Sequence, residues 1–185
     1  IASAAGYTVK FDYLPWMRAL ELARTGKYAA SSYWYFSAER QADFFHVGPV
    51  LYDELVFITR QDQVFPDWTE LTELSALTFG AVPGYTYTEE FWRLSEAGEI
   101  TVETAQSDES NLRKLLAGRI DAYPMSGEGG SYLIEQLFSP EDRARFTFQQ
   151  KPLIVTEGYL LVSRQSDGAE EVARALQDAL DSLNF

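Results

Sequence analysis

The chain has 185 residues, 46% of them hydrophobic, 15% aromatic and 23% charged, a composition that supports a substantial core in either one large domain or two smaller lobes. Its 28 acidic residues against 15 basic ones leave a net charge of -13 with no Lys/Arg-rich segment, so nucleic acid and anionic membrane surfaces are poor partners. Cysteine is absent and His46 is the single histidine, which excludes disulfides, thiolate chemistry and a multi-histidine metal site, while no run approaches the roughly 18 apolar residues of a membrane helix.

Residues 1–6 read as the last turn of a helix closed by Gly6, which predicts a further piece upstream. Residues 7–13 alternate, with Val9 and Phe11 on one face, and predict a strand. Pro15 opens a helix whose apolar positions Trp16, Ala19, Leu20 and Ala23 fall at helical spacing, and Gly26 closes it. An aromatic strand over 28–36 runs into the polar turn 37–40, with Arg40 at its mouth. Gly48-Pro49 leads to a short apolar strand at Leu55-Val56-Phe57-Ile58, and the polar stretch 61–69, with Pro66 inside it, reads as a crossover.

A buried strand over 77–82 then meets Pro83-Gly84-Tyr85-Thr86. Thr86 with Glu89 three residues on fits a capping box for a helix over 87–97, which makes strand, glycine turn and capped helix a βα unit. Strand 100–104, helix 111–117 with Leu112, Leu115 and Leu116 inward, Gly118 and strand 120–123 follow. The glycine-rich residues 126–131 read as a polar loop before a helix over 132–138, and Ser139-Pro140 starts a further short turn. Residues 146–148 predict a strand, 151–157 a second crossover and 158–162 another strand. The chain closes on an amphipathic helix with Val172, Leu176, Ala179 and Leu183 on one face.

Two echoes organise these elements. Residues 22–30 (LARTGKYAA) recur as 115–122 (LLAGRIDA), so helix, glycine, basic residue and strand appear once in each half. Phe57-Ile58-Thr59-Arg60-Gln61 recurs as Leu161-Val162-Ser163-Arg164-Gln165 on the other side of the middle segment. The first predicts two similar α/β lobes, and the second a chain that leaves its first lobe after Ile58 and returns to it before Gly158: residues 1–62 with 156–185, and residues 63–155.

In order and spacing, Pro15-Trp16-Met17-Arg18-Ala19-Leu20, Glu39-Arg40 with Gly48-Pro49, Gly84-Tyr85-Thr86, Gly118-Arg119-Ile120-Asp121-Ala122 and Gly158-Tyr159-Leu160 together resemble the periplasmic solute-binding proteins of family 3, the polar amino-acid uptake type. The resemblance spans nearly the whole chain. It implies a two-lobed, type II periplasmic-binding-protein fold with two hinge-crossing segments, and a first strand and helix ahead of Tyr7 that this chain lacks. It also implies a ligand carboxylate held by Arg40 and by backbone near Thr86. The physics is compatible, because a guanidinium is a planar two-pronged donor and a helix start offers backbone N–H groups. The family usually places an acid for the ligand's amino group at a position that falls here near Ser126, with Glu128 close by. Where the family commonly has serines, this chain carries Tyr33, Trp34 and Tyr35, rings that suit aromatic, cationic or sugar-like ligands as well.

Each candidate also has a plain reading. Arg40 could pair with Asp43 or Glu39 at the surface, Tyr33 and Tyr35 could pack a strand, Trp16 could be a wedge, and Glu128 could be a flexible-loop carboxylate. With the resemblance, the candidate ligand contacts are Arg40, Tyr33, Tyr35, Trp16, Gly84, Tyr85, Thr86, Ser126 and Glu128. Asp121 and His46 are expected to be structural, and no catalytic residue, metal or cofactor is expected. The function implied is capture of a small polar molecule with an anionic group, outside the cytoplasm, by a monomer serving the membrane permease of an ABC transporter. An export signal, if there was one, is taken as already removed. Two rivals stand beside it: a ligand-binding sensor domain, and a periplasmic dehydratase of aromatic amino-acid synthesis on the same scaffold with Glu128 as acid.

Overall fold

The structure, a computed structural model, describes residues 1–183. Its elements in chain order are α1 (Trp16–Arg24), β1 (Ala30–Tyr35), a 3-10 turn (Glu39–Ala42), β2 (Phe44–Arg60), a second 3-10 turn (Leu71–Leu74), β3 (Thr78–Ala81), α2 (Glu89–Glu96), β4 (Thr101–Thr104), α3 (Asp108–Leu116), β5 (Ala122–Ser126), α4 (Gly127–Leu137), α5 (Pro140–Arg143), β6 (Phe146–Ser163) and α6 (Ala169–Ser182). The fold is mixed α/β. The chain divides into two units, Ile1–Tyr52 with Thr156–Phe185, and Asp53–Val155. It passes from one to the other twice, inside β2 and inside β6.

In the first unit, β1 pairs antiparallel with β6 in a register that sets Ala30 beside Val162 and Tyr35 beside Gly158. The inward stripe of α1, Leu20 and Ala23, packs with Trp34, Phe44 and Leu161. α6 lays Ala169, Ala173 and Leu176 against Val47 and Val162. Residues 1–6 form the expected helical turn: Tyr7 N–H donates to Ala2 O at 2.9 Å and Gly6 N–H to Ser3 O at 3.1 Å, with Gly6 at φ +82°.

The second unit is built on β2, β5, β3 and β4. β5 runs antiparallel to β2, and β3 lies parallel to both β4 and β5. Phe57 and Ile58 are adjacent on β2 and therefore point to opposite faces, yet both are fully buried, so this sheet is covered on both sides. Ile58 meets Leu112, Leu115 and Ile134 from α3 and α4. Phe57 meets Phe65, Trp68 and Phe79, and Phe79 continues to Phe91 of α2.

The two copies of the first echo take matching places. α1 and α3 both end in a glycine with positive φ, Gly26 at +76° and Gly118 at +67°, and each leads into a strand, β1 or β5, paired antiparallel with a long strand. A left-handed residue ends a helix and turns the chain back at no Cβ cost only when it is glycine. Arg60 then ties one of these corners together, donating from Nη1 to Leu115 O at 3.3 Å and Ile120 O at 3.2 Å.

Several expected elements differ. Residues 7–13 form no strand: Val9, Phe11 and Tyr13 are exposed, because alternation is necessary for a strand but a ladder partner makes it one. The short strand expected at 55–58 is part of one 17-residue strand that starts at Phe44 and runs through Pro49, and those at 146–148 and 158–162 are one 18-residue strand through the expected crossover, since a proline can sit in a strand wherever its N–H is not needed by the ladder. The glycine-rich 126–131 is not a loop but the N-terminal part of α4, capped by Ser126, whose Oγ accepts from Gly129 N–H. Gly130 explains the composition: a Cβ there would lie 2.7 Å from Ile58 Cδ1, so α4 approaches β2 only because that atom is missing.

Thr86, expected from the sequence to cap α2, is not its cap. The cap is Thr88, whose Oγ1 accepts from Phe91 N–H at 2.9 Å. Tyr87 decides between the two threonines: its side chain is buried and its hydroxyl accepts from Val82 N–H at 2.9 Å, which keeps residue 87 outside the helix. Glu89 and Glu90 fall in the first turn, where they complement the helix dipole. Thr88→Ala is therefore expected to cost about 1 kcal/mol in urea unfolding followed by Trp92 fluorescence, with Thr88→Ser retaining most of it. An unchanged midpoint in Thr88→Ala would contradict this placement.

Candidate functional site

In the first unit, four of the predicted contact residues gather around one indole. Trp34 is buried, its ring edge meets Trp16 at a centroid distance of 5.1 Å, and its Nε1–H donates to Ser31 Oγ at 2.9 Å. The Arg40 guanidinium lies 4.8 Å from the centroid of the Trp34 ring, and Arg40 Nη1 donates to Tyr35 O at 3.3 Å. Trp16 also meets Tyr33 edge-to-face at 6.1 Å, and Tyr33 meets Tyr35 at 6.2 Å. Tyr33 fits over the sheet because Gly158 opposite has no side chain: a Cβ there would come within 2.7 Å of the Tyr33 ring.

Arg40 is only 9% exposed. Burial lowers the pKa of its guanidinium, nearby Arg24 lowers it further, and Glu39 opposes both. Asp43, one of the two carboxylates the sequence offered to Arg40, binds Arg24 Nε at 2.8 Å. A buried guanidinium stacked on an indole keeps its planar fork pre-oriented, which favours a flat two-oxygen acceptor. His46 packs between Phe36 and Tyr159, and burial with the proximity of Arg40 and Arg164 pushes its pKa down. The Tyr159 hydroxyl donates to Glu157, which pushes the Tyr159 pKa up to about 12.

In the second unit, the candidates occupy the carboxyl ends of β3 and β5, which are parallel neighbours. Open α/β sheets place ligands outside strand ends of this kind. The loop after β3 carries exposed Gly84, at φ +81°, with Tyr85 and Thr86 half-buried. Ser126 ends β5 and caps α4, and its hydroxyl donates to Asp53 Oδ1 at 2.9 Å. Glu128 is exposed in the first turn of α4, so it is a helix residue rather than a flexible-loop carboxylate. Asp121 acts as the expected structural brace: its two oxygens accept from Gln63 Nε2 at 3.2 Å and Thr78 N–H at 2.9 Å.

Sequence reasoning missed Asp53, which is 8% exposed on β2, and Asp108 at the start of α3. Asp108 Oδ2 accepts from Tyr85 Oη–H at 3.0 Å, and its Oδ1 accepts from Tyr123 Oη–H. Burial foremost, with the Asp108 charge beside it, raises the pKa of both phenols, so they remain protonated donors. The available signal for Asp108 was Ser107 ahead of it, a helix cap, but a cap does not reveal which tyrosines a first-turn carboxylate will meet. No cluster of three or more metal-ligating side chains occurs among the described residues, and no helix among them is long and apolar enough to cross a membrane.

No protein-family model matches this chain, and no curated protein matches it by sequence. Solved structures do match by fold. A histidine kinase sensor domain with similarity to periplasmic binding proteins aligns over 99% of this chain and 75% of its own, with a TM-score of 0.81 at 16% identity. The holo form of the arginine-binding protein ArgBP from T. maritima aligns over 99% of this chain and 77% of its own, with a TM-score of 0.79 at 16% identity. The periplasmic VFT2 domain of BvgS from Bordetella pertussis aligns over 90% of this chain and 67% of its own, with a TM-score of 0.66 at 20% identity. The chain thus has the mixed α/β fold of periplasmic-binding-protein-like domains.

Proposed function

We propose that this chain is an extracytoplasmic ligand-binding domain, not an enzyme, which captures a small polar molecule bearing an anionic group. The observation that carries the reading is the likeness of fold along 99% of the chain to an arginine-binding protein in its holo form and to a sensor domain. Arg40 is the proposed anchor for the anionic group, with Trp16, Tyr33 and Tyr35 as the apolar surface beside it. Within the second unit, Gly84, Tyr85, Thr86, Ser126 and Glu128 are proposed as ligand contacts. Binding works by linkage: a ligand that prefers one state of the protein raises that state's population by its differential affinity, and a membrane partner reads the change.

Two uses of that binding are supported by different comparisons. Delivery to the permease of an ABC transporter follows from the solute-binding resemblance. Signalling is supported by the histidine kinase sensor-domain neighbour, and a signalling segment in the full-length gene product would favour it. Stimulation of a permease's ATPase by the ligand-loaded chain would favour transport instead.

A thermal-shift screen against amino acids, polyamines and small carboxylates tests the binding reading. Ligand at a hundred times its Kd is expected to stabilise the wild type by about 2.7 kcal/mol, and Arg40→Ala should lose most of that. Arg40→Lys keeps the charge without the planar fork and should fall between the two. Equal stabilisation of wild type and Arg40→Ala would remove Arg40 from the site. Stabilisation by polyamines alone would remove the anionic group from the ligand.

A further inference from the structure

We propose that Asp108 is a positioning residue that holds the Gly84–Thr86 loop in its binding conformation without touching the ligand. The inference rests on the assignment of that loop to ligand contact, and its structural half can be tested apart from that assignment.

The loop needs such a holder. It leaves β3 through a turn closed by one backbone bond, Tyr85 N–H to Val82 O at 3.2 Å, with Gly84 in the left-handed region and Pro83 and Gly84 exposed. A turn of this kind fixes the direction of the chain but not the placement of the residues after it. Tyr85 does the rest, because it is held from two sides. Its hydroxyl donates to Asp108 Oδ2 at 3.0 Å, and its carbonyl accepts from Trp92 Nε1–H at 3.1 Å. Tyr87, two residues on, is anchored by the Val82 N–H bond to its hydroxyl. Tyr85, which lies between the proposed contacts Gly84 and Thr86, is thus held through both its side chain and its carbonyl.

Asp108 is the point where these bonds converge on the rest of the unit. One carboxylate oxygen takes Tyr85 from the loop and the other takes Tyr123 from β5, while its backbone begins α3, capped by Ser107 Oγ on Ser110 N–H. Only a carboxylate can accept two hydroxyls on two equivalent oxygens; an amide has one acceptor oxygen and must turn its NH2 toward the other partner. Each phenol donates to a carboxylate oxygen, and hydrogen bonds to a carboxylate are charge-assisted and stronger than neutral ones. Tyr123 lies in the core cluster with Leu112 and Leu115, so the carboxylate ties the loop to the buried core of the unit. A holder of this type acts on affinity by removing the cost of ordering the loop when ligand arrives.

The test uses the full chain and three variants, Asp108→Ala, Asp108→Asn and Tyr85→Phe. Tyr85→Phe deletes only the loop hydroxyl and leaves the Tyr123 bond in place, which keeps the proposal testable if Asp108→Ala fails to fold. In ligand-free protein, amide hydrogen exchange at residues 84–86 is expected to accelerate about tenfold or more in Tyr85→Phe and Asp108→Ala, the scale set by a hydrogen bond to a charged group. Exchange at Leu112 and Leu115 should not change in Tyr85→Phe, and Asp108→Asn should lie between wild type and Asp108→Ala. With L-arginine as probe, the same variants should lose affinity by about tenfold, again by that bond's strength. Unchanged exchange at 84–86 in Tyr85→Phe would overturn the proposal, and so would equal acceleration at 84–86 and in the core, which would make Asp108 a plain fold residue. If L-arginine fails to bind the wild type, arginine is excluded as ligand, and the exchange result alone decides what Asp108 holds.

Discussion

Gly80→Ala is expected to destabilise the second unit severely although it adds a single methyl group. Gly80 lies on β3, and a Cβ there would come within 2.5 Å of Ile120 Cδ1 and 2.9 Å of Asn111 Oδ1. Both neighbours are fully buried, and the Ile120 side chain belongs to the core cluster with Leu112, Leu115 and Tyr123. Forcing extra volume into a packed core costs about 1–3 kcal/mol. A second cost follows from Asn111, whose Nδ2 donates to Ala81 O at 3.0 Å. Displacing that side chain breaks the bond inside the protein, where an unmet polar group costs about 1–3 kcal/mol more. Urea unfolding read by Trp68 and Trp92, the two tryptophans of the second unit, should show the loss, and Gly80→Ser should fare no better. A midpoint within error of wild type would mean that α3 does not pack on β3 as closely as these distances say.

Phe57→Ala is expected to cost about 3–5 kcal/mol, the range for deleting a buried aromatic ring. The ring is fully buried and meets Phe79 at 5.2 Å, Phe65 at 5.6 Å and Trp68 at 5.9 Å. It therefore holds residues 61–69, which have no ladder or helix of their own, against β2 and β3. Phe57→Leu should recover a large part of the loss, because most of the transferred surface is restored. The Trp68 emission is the more specific readout: it should shift toward that of exposed indole in Phe57→Ala under native conditions, before global unfolding. A Trp68 spectrum unchanged in Phe57→Ala would separate the crossover from the core that Phe57 is said to anchor.

The features that the sequence determined by itself are those whose cause is local. Gly26 and Gly118 ended their helices as read, because a left-handed residue at a helix C-terminus is a one-residue requirement. Leu20 and Ala23 turned inward, and Ser139-Pro140 opened α5, because 3.6-residue spacing and an N1 proline act within one turn. The mixed α/β order followed from stringing such signals together, and the first echo located equivalent corners in each half. Trp16, Tyr33, Tyr35 and Arg40 were legible as a group because Tyr33, Tyr35 and Arg40 lie within eight residues, on one strand and the turn after it.

Features whose partner lies far along the chain took shape only through packing. Thr86 and Thr88 offer the same capping chemistry, and the buried Tyr87 between them made the choice. The glycines of 127–130 read as a loop until Ile58, about seventy residues earlier, required one of them to have no side chain. Residues 7–13 alternate like a strand and yet form none, because alternation does not specify a ladder partner. Asp108 carried no mark of its role in the sequence, since its tyrosines lie 23 residues before it and 15 after. A local signal states what a residue can do, and only the packed chain states which distant group will let it.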